Sequence, residues 1–270
     1  MAADIPSLCA DLSAEHEDLD RIVASLDAVG WDTPTPAEGW AVRDQIAHLA
    51  FFDSSATTAA ADPEAFNSDL AEIAADPAGF LEGHLRPGRA MDPQTLVDCW
   101  RSQRTTMLGA FLGLDPATRI PWFGPPMGAA SFITARLMET WCHGQDVADA
   151  LRIERRPTPR LRHVAHIAVK ARPFNYASHG LALPSSDVLV ELRGPDGDTW
   201  SWGDASVSDR VSGEAVDFCL VATQRRHRAD TELVVEGPLA EEWMAIAQAF
   251  AGPPGPGRRP GQFPRHAATA

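Results

Sequence analysis

The sequence of 270 residues predicts an α+β fold in which a four-helix bundle precedes a small α/β domain. In the first part of the chain, apolar residues recur at three- and four-residue steps, which is the pattern of amphipathic helices. After about Pro184 the pattern alternates between turn residues, as it does in strands. We therefore expect a helical bundle at 1–155, a connecting helix and linker at 156–183, an α/β domain at 184–252 and a disordered tail at 253–270.

Two helices are predicted in the first sixty residues. An early proline suits a first helical turn, and the apolar periodicity behind it predicts helix one as far as Gly30. His16 lies in the charged run EHED and is expected on the solvated side of this helix. Two prolines and a glycine predict a loop at 31–40. Helix two then runs from Ala41 to Ala60 and carries His48.

Three more helices follow a segment that prolines and glycines interrupt. We predict irregular structure from Asp62 to Met91. Helix three starts with Asp92 as its cap and a proline behind it, and it ends near Gly113. Ser131 is the expected cap of helix four, which runs to about Leu151, and 157–171 is a fifth helix. Four long helices before residue 156 indicate a bundle.

The α/β domain is predicted from short alternating segments between turn residues. Glycine and proline clusters separate these segments, and a Gly-Pro cluster ends the last of them. The expected strands are 187–193, 199–202, 206–211 and 231–237, and the expected helices are 213–224 and 238–252.

Composition excludes two classes of partner. A formal net charge of −14 would repel a phosphate backbone, and lysines and arginines do not interleave with aromatic residues. No apolar run approaches the roughly 20 residues of a membrane span, and the N-terminus lacks a basic start and apolar core. The four cysteines are widely spaced and suggest a reducing compartment. We expect a cytoplasmic monomer or homodimer that binds neither nucleic acid nor membrane.

A metal site is suggested by residues on two of the predicted helices. Glu139 and His143 stand four residues apart on helix four, so their side chains project from one face. His48 lies on helix two, and helical bundles hold metals with inward ligands from facing helices. A solvated polar stripe and a packed histidine would produce the same spacings. From the residues alone, both interpretations stay open.

The donor set decides which ions would suit such a site. Two histidine nitrogens and one carboxylate fit a divalent cation, with Zn²⁺ the first choice and Ni²⁺ or Fe²⁺ as alternatives. Three protein ligands leave coordination positions for water or substrate, which is typical of a catalytic centre. Arg136 lies on the same polar arc and is a candidate for binding a carboxylate, since its planar fork grips anions; otherwise it is a surface arginine.

The arrangement of Trp40, His48, Glu139, His143 and Asp146 resembles that of the mycothiol-dependent maleylpyruvate isomerases, over roughly residues 5 to 250. The resemblance implies a DinB-like metal-binding four-helix bundle followed by a small sterol-carrier-like α/β domain. It implies His48, Glu139 and His143 as metal ligands and Asp146 as a residue that orients an imidazole.

The resemblance also implies a residue of the second domain and a reaction. An arginine follows the helix of that domain in the family, which makes Arg225 or Arg226 the candidate, with a solvated helix end as the alternative. A low-molecular-weight thiol such as mycothiol would bind the metal as thiolate, add to a conjugated double bond and be eliminated after rotation. We expect a metal-dependent isomerase or thiol transferase acting on a small molecule.

Two other functions suit the same residues, because function resides in the site rather than in the fold. One is a thiol-independent metal hydrolase, cyclase or lyase of secondary metabolism. The other is a non-catalytic protein that binds a metal or a small ligand.

Overall fold

The computed structural model describes residues 4–76, 79–80 and 83–263. It divides the chain into two compact units, Met1–Arg155 and Arg156–Ala270. Helices make up most of the first unit, and the second combines helices with a four-stranded sheet. The predicted α+β class is therefore confirmed. No helix within the described ranges combines the length and apolar character that crossing a membrane requires.

The first unit contains a four-helix bundle. Helices α1 and α3 each pack against both α6 and α7. Apolar side chains from all four helices are buried between them, and Trp100 and Leu49 are among the fully buried ones. The elements of this unit are α1 (Ile5–Val23), α2 (Ala28–Trp31), α3 (Val42–Ala61), α4 (Pro63–Ala75), α5 (Arg86–Ala90), α6 (Pro93–Leu112), β1 (Arg119–Ile120), β2 (Met127–Gly128) and α7 (Ala129–Leu151).

The first helix is shorter than the sequence predicts. It ends at Val23 rather than near Gly30. The carboxylate of Asp27 accepts the backbone N–H of Gly30 at 2.9 Å and thereby starts the separate short helix α2. Val29, which lies within the predicted extent of the first helix, is 76% exposed.

The prediction of irregular structure from Asp62 to Met91 is wrong, because this segment contains α4 and α5. Helix α4 starts with an aspartate cap followed by a proline, because the carboxylate of Asp62 accepts the N–H of Ala65 at 3.0 Å. The same signal begins α6 at Asp92, where the prediction is confirmed. Residues 77–78 and 81–82 of the segment lie outside the described ranges.

Helix α7 begins earlier than its predicted cap. Ser131 is exposed and lies inside the helix, which starts at Ala129 directly after strand β2. The hairpin of β1 and β2, which the sequence analysis did not predict, positions this start, since Arg119 pairs with Gly128. The helix ends at Leu151, as predicted.

The second unit has the strand order β4-β3-β5-β6. Strands β3 and β5 are parallel, whereas β3–β4 and β5–β6 are antiparallel. Helix α8 packs against α10, and α9 packs against α11. The elements are α8 (Leu161–Lys170), α9 (Arg172–Ser178), β3 (Leu189–Arg193), β4 (Thr199–Trp202), β5 (Arg210–Glu214), α10 (Ala215–Ala222), β6 (Val234–Glu236) and α11 (Pro238–Ile246).

Two expectations for this unit are wrong. Strand β5 runs over 210–214 instead of 206–211, and α11 ends at Ile246 rather than near residue 252. Within the predicted tail, the ring of Phe263 lies under the guanidinium groups of Arg226 and Arg258 at 5.3 and 5.5 Å, and disorder of the tail stays a prediction. Residues 264–270 of the predicted tail lie outside the described ranges.

Candidate metal centre

Helices α3 and α7 bring His48, Glu139 and His143 together in the first unit. One potential ligand atom from each residue lies within 4.8 Å of the others. His143 Nε2 is 3.4 Å from Glu139 Oε2, about the separation of two tetrahedral ligands at bond lengths of about 2.1 Å. His143 is buried, while His48 and Glu139 are half-buried. Two imidazole nitrogens and a carboxylate oxygen suit a divalent cation.

His143 is oriented by a hydrogen-bond chain that begins in the loop before α3. Its Nδ1 lies 2.5 Å from Gln45 Oε1, and the Gln45 side-chain amide donates to the Thr35 hydroxyl at 2.9 Å. The Thr35 hydroxyl donates to the carbonyl of Trp40 at 2.9 Å. Because the amide oxygen of Gln45 can only accept, Nδ1 of His143 carries hydrogen and Nε2 keeps its lone pair. Nε2 is the nitrogen that lies 3.4 Å from Glu139 Oε2.

His84 is a member of this site that the sequence analysis missed. Its Nε2 lies 3.2 Å from His48 Nδ1, and its Nδ1 lies 3.3 Å from the carbonyl oxygen of Phe80. The Asp62–Pro63 cap signal would have predicted helical structure in this segment. No spacing rule, however, connects a histidine there to one on α3, because the contact depends on how the chain returns to the bundle.

Aromatic rings flank the two histidines of the candidate site. Trp40 is nearly parallel to His143, with ring centroids 6.1 Å apart, and lies 5.1 Å from His48. Phe52 contacts His48 at 4.5 Å and Phe123 at 5.2 Å. The cluster continues through rings that are half-buried. These are Phe51, Phe80 and Trp122.

Arg136 is buried and bound to a carboxylate of the protein. It is 3% exposed, and Nη2 donates to Asp53 Oδ1 at 2.7 Å. The indole N–H of Trp100 donates to the other oxygen of Asp53 at 3.2 Å. The interpretation as a surface arginine is therefore wrong. Because Asp53 lies on α3 with His48, and Arg136 lies on α7 with Glu139, this ion pair joins the two helices. The binding of a substrate carboxylate by Arg136 stays a prediction.

The prediction that His16 is solvated is wrong, because its side chain lies inside the bundle and is 1% exposed. Its ring packs edge-on against Trp100 at 6.0 Å, and its Nε2 is 3.9 Å from Asp53 Oδ2. Within the part of the chain that the structure describes, neither ring nitrogen has a hydrogen-bond partner. Burial lowers the pKa of His16 to about 4, despite the opposing charge of Asp53. The EHED run misled the prediction because Glu15, one residue earlier, is also buried and pairs with Arg155.

Three further residues stay predictions. Asp146 is buried one turn beyond His143 on α7, while the hydrogen bond that orients His143 comes from Gln45. Arg225 and Arg226 lie in the second unit, directly after α10 and its final turn. Arg225 donates to the carbonyl of Thr223 at 2.8 Å, and Arg226 lines a cleft of about 260 Å³ in that unit.

Comparisons with known proteins relate the chain to one family of sequences. Residues 12–148 match the model of the mycothiol maleylpyruvate isomerase N-terminal domain. Residues 184–234 match a second model, described as wyosine base formation. Two uncharacterised proteins of Mycobacterium tuberculosis, from strains CDC 1551 and H37Rv, are each 47% identical to the chain over 256 residues. The match covers 95% of this chain and all of each relative.

Solved structures share the fold. Two crystal structures of the mycothiol-dependent maleylpyruvate isomerase, one of them of a histidine-to-alanine mutant, superpose with TM-scores of 0.55 and 0.56. Each match covers 83% of this chain and 90% of the other, at 16% sequence identity. At that identity the likeness shows a common fold, and it leaves the chemistry of this chain to its own residues.

Proposed function

Since this chain belongs to the mycothiol maleylpyruvate isomerase family, we propose that it is a divalent-metal-dependent enzyme that uses a low-molecular-weight thiol on an electrophilic small molecule. The observation that carries the proposal is the convergence of donor atoms of His48, Glu139 and His143 within 4.8 Å. Two neutral nitrogens and one carboxylate suit zinc first, with nickel or ferrous iron as alternatives.

The protein's own groups prepare this site in three ways. Gln45 fixes the tautomer of His143, so that Nε2 is the nitrogen available for bonding. Glu139 supplies the negative charge that offsets part of a divalent cation's charge. Trp40 packs against the imidazoles of His48 and His143, and Phe52 packs against that of His48. A bound divalent cation would lower the pKa of a coordinated thiol, which then reacts as a thiolate near neutral pH.

The reaction class follows from thiolate chemistry. The sulfur adds to one carbon of a double bond conjugated to a carbonyl, and the displaced electron pair moves to the carbonyl oxygen. The former double bond can then rotate, and return of the electron pair expels the thiolate unchanged, which completes a cis–trans isomerisation. If the other carbon of the former double bond, next to the carbonyl, instead takes up the proton that the thiol released, the product is a thioether. The reaction is then a transfer of the thiol to the substrate.

The surroundings favour a substrate with an apolar or aromatic part. Phe52, Phe80 and Phe123 form a half-buried cluster of rings beside His48, and planar groups pack well against such rings. Arg136, the arginine nearest to Glu139 along α7, is bound to Asp53. Arg225 and Arg226 stay candidates for binding a carboxylate within the second unit. We place the protein in the cytoplasm, where thiols such as its four cysteines stay reduced.

The test is a thiol titration of the cobalt-substituted protein. We expect mycothiol to produce a sulfur-to-cobalt charge-transfer band, and we expect turnover of maleylpyruvate or of an aromatic enone only when the thiol is present. A spectrum that mycothiol leaves unchanged, together with thiol-independent turnover, would replace the proposal with a metal hydrolase, cyclase or lyase. Tight retention of a ligand without any product would replace it with a binding protein.

A further inference from the structure

The half-buried imidazole of His84 contacts Nδ1 of His48, which is one of the three candidate metal ligands. Its Nε2 lies 3.2 Å from His48 Nδ1, and the two rings meet nearly edge-to-face at 73°. Among the described residues, the ligand atoms that converge belong to His48, Glu139 and His143, and His84 is not one of them. Its contact is therefore with a ligand rather than with the ion.

The carbonyl oxygen of Phe80 determines which nitrogen donates in the contact between His84 and His48. The carbonyl oxygen of Phe80 accepts the backbone N–H of His84 at 3.0 Å and lies 3.3 Å from its Nδ1. A carbonyl oxygen can only accept, so Nδ1 of His84 carries the hydrogen. In the neutral ring, Nε2 then keeps a lone pair and accepts hydrogen from His48 Nδ1. His48 is left with its lone pair on Nε2.

From this chain of contacts we infer that His84 is a positioning residue of the metal centre: it fixes the Nδ1–H tautomer and the ring orientation of His48, so that His48 Nε2 binds the cation. The inference rests on the proposed metal site. A partner on the second ring nitrogen of a histidine ligand commonly fixes its tautomer and raises its basicity. No sequence pattern pointed to His84, because it lies in the segment between the second and third predicted helices.

The other histidine of the site provides an internal comparison. His143 Nδ1 is held by Gln45 Oε1 at 2.5 Å, which leaves Nε2 of that ring for the metal in the same way. Two partners of different chemistry, an imidazole and an amide, thus impose the same tautomer on the two ligands. A glutamine at position 84 should therefore replace much of what the histidine does, because its side-chain oxygen can accept from His48 Nδ1.

The pair of variants His84→Gln and His84→Phe separates this role from simple packing. Phenylalanine retains a ring beside Phe51 and Phe52 but has no acceptor, whereas glutamine has an acceptor but no ring. We expect His84→Phe to weaken zinc binding about 10- to 100-fold in competition with a chromophoric chelator. We expect His84→Gln to keep most of the wild-type affinity. Circular dichroism shows whether each variant is folded.

A second readout needs no metal. In the metal-free wild-type protein labelled with ¹⁵N-histidine, long-range ¹H–¹⁵N spectra should show His48 as the Nδ1–H tautomer, and His84→Phe should abolish that preference. An Nε2–H tautomer of His48 in the wild type would overturn the inference even if the variants do not fold. Equal zinc affinity in His84→Phe and wild type would overturn it as well, as would a His84→Gln variant no better than His84→Phe.

Failure of the proposed function would look different. If His48→Ala binds zinc as tightly as the wild type, the metal site itself is wrong. If zinc binding depends on His48 but mycothiol leaves the cobalt spectrum unchanged, only the thiol chemistry is wrong, and the role of His84 stands on the affinity and tautomer results.

Discussion

The hydrogen-bond partner of each histidine in the bundle determines what that imidazole can do. Nδ1 of His143 and Nδ1 of His48 contact Gln45 and His84, and both histidines have a donor atom in the candidate metal cluster. Among the described residues, neither nitrogen of His16 has a hydrogen-bond partner, and this side chain is 1% exposed. It is held as a neutral ring among Asp53, Arg104 and Arg136. One residue type thus occurs both in the candidate metal site and in the core.

The buried His16 predicts a pH dependence of stability. Its pKa is about 4 in the folded chain against 6.5 for the free side chain, so the unfolded state binds the proton first as pH falls. The free energy of unfolding should therefore decrease between about pH 6.5 and pH 4, by about 3 kcal/mol from this residue. Urea unfolding of wild type and His16→Phe at several pH values measures the difference.

In that comparison, the wild type should lose more stability than His16→Phe as the pH falls. The exposed His179 offers a control, since His179→Gln should follow the wild type. Parallel pH curves for wild type and His16→Phe would show that His16 does not titrate in this way.

The ion pair of Arg136 and Asp53 predicts strong coupling between two side chains. Both are almost fully buried, at 3% and 0% exposure, so removing one leaves an uncompensated charge in the core. We expect Arg136→Met to cost about 3–5 kcal/mol of unfolding free energy, and the double variant with Asp53→Leu to cost less than the sum of the single changes. Additive costs in a urea double-mutant cycle would contradict the coupling.

At the scale of elements, local signals predicted most helices, and tertiary contacts decided the rest. The apolar periods of α3, α6 and α7 and the cap of α6 at Asp92 predicted these helices, which include the two that carry His48, Glu139 and His143. Helix α4 was not predicted, because the prolines and glycines elsewhere in its segment outweighed the cap signal at Asp62. His84 and the buried side of His16 could not be predicted, since each depends on which element packs against it and no local pattern encodes that.

Two ion pairs near the start of α3 should contribute different amounts to the free energy of unfolding. Asp44 is buried, accepts the N–H of Ala41 at 2.9 Å and binds Arg89 at 2.7 Å, whereas Asp32 binds Arg43 at 2.8 Å but is 66% exposed. Asp44→Ala should lower the free energy of unfolding by about 1–3 kcal/mol, because it removes the hydrogen bonds that a buried, charged carboxylate accepts from Ala41 and Arg89. Asp32→Ala should cost about 0–1 kcal/mol. Equal effects in urea unfolding would show that burial at the helix start does not matter.

At the scale of the whole molecule, the residues that stabilise the fold differ from the residues that form the candidate metal centre. The bundle buries apolar side chains from α1, α3, α6 and α7, and this core does not include the three donors. The donors lie instead where α3 and α7 approach each other, next to the Arg136–Asp53 pair. The metal should therefore add stability to a structure that already folds.

Chelation predicts a change in stability without loss of structure. At a free zinc concentration 100 times its dissociation constant, binding should stabilise the folded chain by about 2.7 kcal/mol. Removing the metal with a chelator should lower the melting temperature while the helical circular dichroism at 25 °C stays the same. Collapse of the helical signal on chelation would mean that the ion is part of the folding core.

The most direct test of the proposed metal centre is the zinc content and affinity of His48→Ala, Glu139→Ala and His143→Ala, measured beside the exposed control Glu154→Ala. Each of the three ligand variants should keep the wild-type circular dichroism and lose most of its zinc, while the control keeps both. Full zinc occupancy and wild-type affinity in all three ligand variants would contradict the assignment of the site.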